Sequence, residues 1–372
     1  MSVEVCPDDR ALRSGRRQRV LEQMAAHDLD VLVLGRQANV RYVTGAPQLW
    51  VAGTRPFGPT CVLVRASGAI HLLSTWDEGV PEDIPHENLY GISWNPMNTM
   101  SALRRIDGAA TARRVGTDAM SPVFAQLLPT AFPQAELVDG ELAMRAARRV
   151  KTAEEAVSLR EAIAVAEKGL AAAVSELRPG VSEQALAGAL LEAVAAGGVS
   201  TPSNQDVAWV TSPDHPWRRA AGEGRVKDGD LVAFSAGVLA GGYIGEVGRT
   251  WPVGEARGAV GVYRRWERLW GRLLAACRPG AGAGELLDAY RAAGEPAPPM
   301  PVARGLGMGF DPPVISRHLP ATAAAERLEQ GMVLAVTGYV WESGVGAVFG
   351  REAVLISADG PEVLTSSPSW RE

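Results

Sequence analysis

Residues Lys227–Gly254 read KDGDLVAFSAGVLAGGYIGEVGRTWPVG. A short apolar run, Leu231–Phe234, leads into a glycine-containing segment, Gly237–Gly242, and then into Tyr243–Trp251, where small and bulky residues interleave. Apolar runs of this length separated by glycines predict two strands and a turn, a β-hairpin. Ser235 and Glu246 stand eleven residues apart within it, between Gly-Asp-Leu-Val at 229–232 and Arg-Thr-Trp at 249–251.

Working outward, a chain of 372 residues has room for two domains with buried cores. Hydrophobic content of 47% and charged content of 21% are those of a soluble globular protein. A net charge of −5 argues against nucleic-acid binding, which calls for a basic surplus. Cys6, Cys61 and Cys277 are far apart and form no C-x-x-C pair, which favours a reducing compartment. The first thirty residues are charged and lack an apolar core, and no run of eighteen apolar residues occurs. Neither a signal peptide nor a membrane span is expected, and the cytoplasm is the simplest placement.

In chain order, an amphipathic helix is predicted at Arg13–His27, then strands at Asp30–Leu34, Asn39–Gly45, Cys61–Arg65 and Ile70–Leu73. Helix alternating with strand predicts an α/β layer. Thr152 and Glu155 form a capping box that opens a helix running to about Leu177, where Pro179-Gly180 stops it. Further helices are predicted at Glu183–Ala196, Val260–Cys277 and Gly284–Ala293. Strands are predicted at Val207–Thr211, Val333–Trp341 and Arg351–Ile356 beside the hairpin. Two helix pairs then flank an antiparallel sheet.

The hairpin frame resembles that of the pita-bread metallopeptidase family, which includes prolidase, aminopeptidase P, methionine aminopeptidase and the metal-free creatinase. NVRYVTG at 39–45 is similar to the family's N-terminal creatinase-type domain, and the resemblance covers nearly the whole chain. It implies an α/β creatinase-type domain over residues 1–148, an α+β pita-bread domain over 149–372, and a homodimer.

The family's metalloenzymes hold two cations with two hairpin Asp, a His in G-H-G-x-G, a Glu in M-V-L-x-x-E-P-G, and a Glu near the end. The matching frames here put Ser235 and Glu246 in the hairpin, Arg304 in ARGLG (303–307) and Thr337 in GMVLAVTG (331–338). In GREAVLI (350–356), gapless counting puts Arg351 at the last position, while a one-residue deletion puts Glu352 there. A one-residue slip changes the strand face, so both stay open. With Arg351, the five positions carry one carboxylate and two guanidiniums, which stay protonated and repel cations. At an effective dielectric of ~20, one such charge at ~4 Å is worth about 4 kcal/mol. No metal and no other cofactor are expected. The arginines either bind substrate or fill the old cavity as a structural ion pair with Glu246.

TSPDHPWRRA at 211–220 precedes the hairpin, where family members carry a catalytic His or an N-P-W motif. His215-Pro216-Trp217 is similar to the N-P-W version, seen in a branch that includes a dimethylsulfoniopropionate-cleaving lyase. The ungapped counterpart of the creatinase His is nearer Arg218. His215 is a candidate acid/base, weighed against an ordinary solvated loop histidine. Trp217 and Tyr243 are candidates for pocket walls, weighed against core packing. In TRPFG (54–58) the resemblance makes Arg55 and Phe57 candidates to reach a partner subunit's site. Ten Trp suit a pocket for something flat or cationic.

These residues point to a metal-independent enzyme acting on a small carboxylate-bearing, amino-acid-derived substrate. Arg304 and Arg351 would hold the carboxylate, while Glu246 and His215 move protons in C–N hydrolysis or a related step. The alternatives are a non-catalytic protein that binds a ligand or partner, and an Xaa-Pro metallopeptidase.

Overall fold

The structure is a computed structural model that describes residues 10–46, 58–74, 77–91, 93, 95–119, 121–199, 201–204, 207–222 and 224–370. The chain divides into two compact units, whose described parts are 10–148 and 149–370.

The first unit comprises α1 (Arg10–Ala26), β1 (Val31–Leu34), α2 (Gln37–Thr44), β2 (Cys61–Val64), β3 (Ile70–Leu73) and β4 (Leu89–Tyr90). It continues with α3 (Pro96–Leu103), β5 (Arg114–Thr117), α4 (Pro122–Leu127), β6 (Glu136–Asp139) and α5 (Glu141–Arg149). Among the described residues its sheet has the order β4-β3-β2-β1-β5-β6, with β1 antiparallel to β2 and parallel to β5. Asn39–Gly45, expected as a strand, is instead the body of α2, which ends on Gly45 in a left-handed conformation. Val, Tyr and Thr give that segment strand propensity. The buried side chains Asn39, Val40 and Val43 nonetheless recur at helical spacing, and packing overrides propensity.

The second unit opens with α6 (Ala153–Ser175) and α7 (Glu183–Ala196). The α6 capping box is complete: Glu155 N donates to Thr152 Oγ1 at 3.2 Å, and Thr152 N donates to Glu155 Oε2 at 3.0 Å. Thr152→Ala should therefore cost about 1 kcal/mol, measurable as a lowered denaturation midpoint with an unchanged m-value. There follow β7 (Ala208–Val210), β8 (Leu231–Ala240), β9 (Tyr243–Pro252), α8 (Ala259–Ala276), α9 (Glu285–Ala293) and β10 (Ala303–Leu306). The chain then forms β11 (Phe310–Ile315), α10 (Ala321–Ala324), β12 (Val333–Glu342), β13 (Gly346–Ser357) and β14 (Gly360–Val363).

The hairpin is longer than the sequence implied. Residues 237–240 belong to β8, Ala240 pairs with Tyr243, and the turn is Gly241-Gly242 alone, both at positive φ (58° and 91°). Such a two-residue turn matches the twist of paired strands and favours glycine. Among the described residues the sheet runs β11-β10-β12-β13-β9-β8-β7, with β14 on β13 and every pair antiparallel. Helix α6 packs on β8 and β9, and α8 on β12 and β13. No helix among the described residues is long and apolar enough to cross a membrane.

Candidate functional site

Four strands contribute one row of the sheet. Ser235 on β8 lies opposite Gly248 on β9, Gly248 opposite Arg351 on β13, and Arg351 opposite Thr337 on β12. Residues two apart on a strand share a face. Glu246, two before Gly248, therefore points the same way as the row. Arg304 on β10 lies opposite Ala335, two before Thr337, and joins them. Gly248 lets the row close up, because a Cβ there would lie 2.5 Å from the Phe349 ring and 2.9 Å from Arg351 Cβ.

The five side chains form one network. An Arg304 Nη2 hydrogen bond reaches Glu246 Oε1, and Arg351 Nη1 lies 3.4 Å from Glu246 Oε2. Arg351 also donates from Nε to Thr337 Oγ1 at 3.1 Å and from Nη1 to Ser235 Oγ at 3.4 Å. Asn204 Nδ2 donates to the same Ser235 Oγ at 2.9 Å. Glu246 is 1% exposed and Arg304 6%. Burial, opposed by Glu246 and reinforced by the Arg304 guanidinium, holds Arg351 below the ordinary arginine range. It remains a cation at neutral pH.

Arg351 faces the network, and Glu352 faces the other side of the sheet. There Glu352 pairs with Arg249 Nη1 at 2.8 Å and accepts a hydrogen bond from Thr365, and burial raises its pKa. Tyr243 is also displaced from the site. Its ring is buried toward α6, where Oη donates to Glu155 Oε1 at 3.1 Å, because it stands an odd number of residues from Glu246. His215 has an exposed side chain; its backbone N–H donates to Ser212 Oγ in a tight loop turn. Arg55 and Phe57 lie outside the described residues.

A cavity of about 460 Å³ opens over the row. Ser235 and Arg351 form its floor and Asn204 one edge, while Trp209, Trp217 and Tyr339 are among its walls. Arg218 and Arg219 also line it; Glu246, Arg304, Thr337 and His215 do not. Glu246 and Arg304 therefore sit behind the floor, and they act on the cavity through Arg351. Trp217 adopts φ 66°, a left-handed conformation unusual for a bulky residue. Its N–H donates to Tyr339 Oη at 3.2 Å, and the two rings lie 4.4 Å apart. Asn204 and the Trp209–Phe349 wall were not foreseen. The sequence signal for Asn204 was only a polar Ser-Asn pair ahead of a predicted strand.

Residues 157–358 match the model of Metallopeptidase family M24, and residues 16–150 match the Creatinase/Prolidase N-terminal domain. The chain belongs to metallopeptidase family M24. Creatinase from Bacillus sp. (strain B-0618) is 24% identical over 389 residues, spanning 95% of this chain and 90% of the relative. The prolidase of Pyrococcus horikoshii OT3 superposes with TM-score 0.76 at 19% identity, covering 95% of this chain and 99% of that one. The X-Pro aminopeptidase of Thermotoga maritima MSB8 gives 0.74 at 16% identity, covering 95% and 98%. The M24 chain therefore has the expected architecture, an α/β creatinase-type domain followed by an α+β pita-bread domain. Its donor set fits the metals of the family name poorly. Among the described residues no group of three or more His, Cys, Asp or Glu is gathered to hold an ion. Glu246 is the one carboxylate in the row, and each of its oxygens faces a guanidinium.

Proposed function

We propose that this protein is a metal-independent M24 enzyme acting on a small carboxylate-bearing, amino-acid-derived compound, by C–N hydrolysis or related acid/base chemistry. Family membership supports hydrolysis, and the relatives named creatinase, prolidase and X-Pro aminopeptidase support the substrate class. The decisive support is Arg351. Thr337 on β12 and Ser235 on β8 fix its orientation, and it still lines an open cavity. A guanidinium oriented in this way binds a carboxylate with little loss of side-chain freedom.

Ser235 Oγ accepts from both Asn204 and Arg351, which leaves its own proton to donate to a ligand oxygen. A substrate carboxylate on Arg351 competes with Glu246 Oε2 at the longer, 3.4 Å contact. Displaced from Arg351, Glu246 Oε2 loses the guanidinium that separates it from the cavity and would take a proton from the attacking water and return it to the leaving nitrogen. His215, exposed and away from the cavity wall, has no part in this scheme. The enclosure of Glu246 between two guanidiniums also favours a second reading, a protein that binds such a ligand without turning it over.

Calorimetric titration with small amino-acid carboxylates should give binding that Arg351→Met weakens ten- to about a hundredfold, from roughly 1.5–3 kcal/mol for hydrogen bonds to a charged group. Unchanged binding in Arg351→Met would refute the anchor. Mass spectrometry of the titrated mixtures separates turnover from binding alone. Elemental analysis finding two divalent cations per chain would restore the metallopeptidase alternative.

A further inference from the structure

We propose that the cavity selects a carboxylate whose amine is blocked, by acylation or an equivalent, and which carries a flat aromatic group. This deepens the carboxylate reading above and rests on it.

Among the described residues the charges lining the cavity all have one sign. Arg351, Arg218 and Arg219 line it, and no Asp or Glu does among the described residues. Two described carboxylates close to it are engaged elsewhere. Glu246 lies behind the floor between Arg304 and Arg351. Glu183 pairs with Arg219 Nη1 at 3.2 Å and accepts Val210 N at 2.7 Å without reaching the wall. A ligand with a free ammonium would bring a fourth cation beside three guanidiniums and meet no counter-charge among the described lining residues. An acylated nitrogen keeps the carboxylate and removes that cation. A peptide with a free N-terminus, by the same logic, is a poor ligand.

The walls are aromatic. Trp209 and Phe349 lie 5.5 Å apart at 50°, and Trp217 and Tyr339 lie 4.4 Å apart at 40°. Such faces attract either flat rings or cations. Two of the four already have the protein's own cation: Arg351 lies 5.3 Å from the Phe349 centroid, and Arg219 lies 5.9 Å from that of Trp209. A flat, uncharged ring is the remaining complement. Room exists for it, since about 460 Å³ falls within the roughly 300–1,000 Å³ of drug-sized ligand sites. The backbone of Trp217 is held at φ 66° by Tyr339, which places its ring at the wall at a conformational cost that a structural turn would avoid with glycine.

Titration calorimetry on the full chain with four probes tests this: N-acetyl-L-tryptophan, L-tryptophan, N-acetylglycine and N-acetyl-L-tryptophan amide. N-acetyl-L-tryptophan should bind at least about tenfold more tightly than each of the others. L-tryptophan or N-acetylglycine binding as tightly would overturn the blocked-amine or the aromatic element respectively, and leave the carboxylate reading standing. The amide binding as tightly as the acid would instead sink the carboxylate reading itself. No binding of any probe at millimolar concentration overturns both. Trp217→Leu should weaken N-acetyl-L-tryptophan about tenfold or more, and an unchanged affinity counts against the ring site. Should that variant fail to fold, the four-probe comparison on the unaltered chain still decides.

Discussion

Arg304→Met should destabilise the protein by about 3–5 kcal/mol, the usual cost of removing one partner from a buried ion pair. The side chains of Glu246 and Arg304 are 1% and 7% exposed, so water cannot replace the lost guanidinium. Glu246 would be left with Arg351 alone, at 3.4 Å. At ~2–4 °C per kcal/mol for a unit of this size, the melting temperature should fall by roughly 10 °C. The triple variant Arg304→Met/Glu246→Leu/Arg351→Met should recover most of that loss, because apolar side chains of similar volume in place of the whole Arg–Glu–Arg group avoid desolvating any of its three charges. Equal melting temperatures for the single and triple variants would show that the three charges are not an energetic unit. Any loss of turnover in Arg304 variants should be judged against this fall. Arg304 does not line the cavity, and it acts there through Glu246 and Arg351.

What the sequence revealed depended on how local the cause was. Thr152 and Glu155 carry both halves of a cap within four residues, and α6 begins where they place it. Ser182 caps α7, and Gly197-Gly198 ends it, so its bounds were readable as well. The row Ser235, Glu246, Arg304, Thr337 and Arg351 was legible through motif frames, each a strand with small residues beside the key position. The choice between Arg351 and Glu352 was not, because it turns on the pairing of Arg351 with Gly248 and Thr337 across two neighbouring strands. Nor was the burial of Glu246 behind the cavity floor. Asn204 meets Ser235 across 31 residues of chain, and Trp209 meets Phe349 only because β7 and β13 belong to one sheet. His215 sat beside a motif, but a hydrogen-bonded turn sets its direction, and no residue type announces that.

Gly245→Ala is expected to have the largest effect of any single methyl added near the site. A Cβ at this position on β9 would lie 2.1 Å from Ala162 O, 2.2 Å from Ala162 C and 2.5 Å from Ile163 N, all backbone atoms of α6. No rotamer change relieves a clash with main chain, so helix and strand must separate. The helix resists, since its start is fixed by the capping box and by Tyr243 Oη on Glu155. A loss above ~4 kcal/mol is the expected class of outcome, and such values mark disruption of packed backbone. The displaced residue is next to Glu246, so any folded fraction should also bind carboxylate ligands more weakly. Gly261→Ala is the control: its added Cβ, in the first turn of α8, meets nothing within 4 Å. Relative to glycine, alanine in a helix gains roughly 0.5–1 kcal/mol, so this variant should melt at the same temperature or slightly higher. If Gly245→Ala melts where Gly261→Ala does, β9 does not rest against α6 as described. The placement of Glu246, and with it the floor beneath the cavity, would then have to be redrawn.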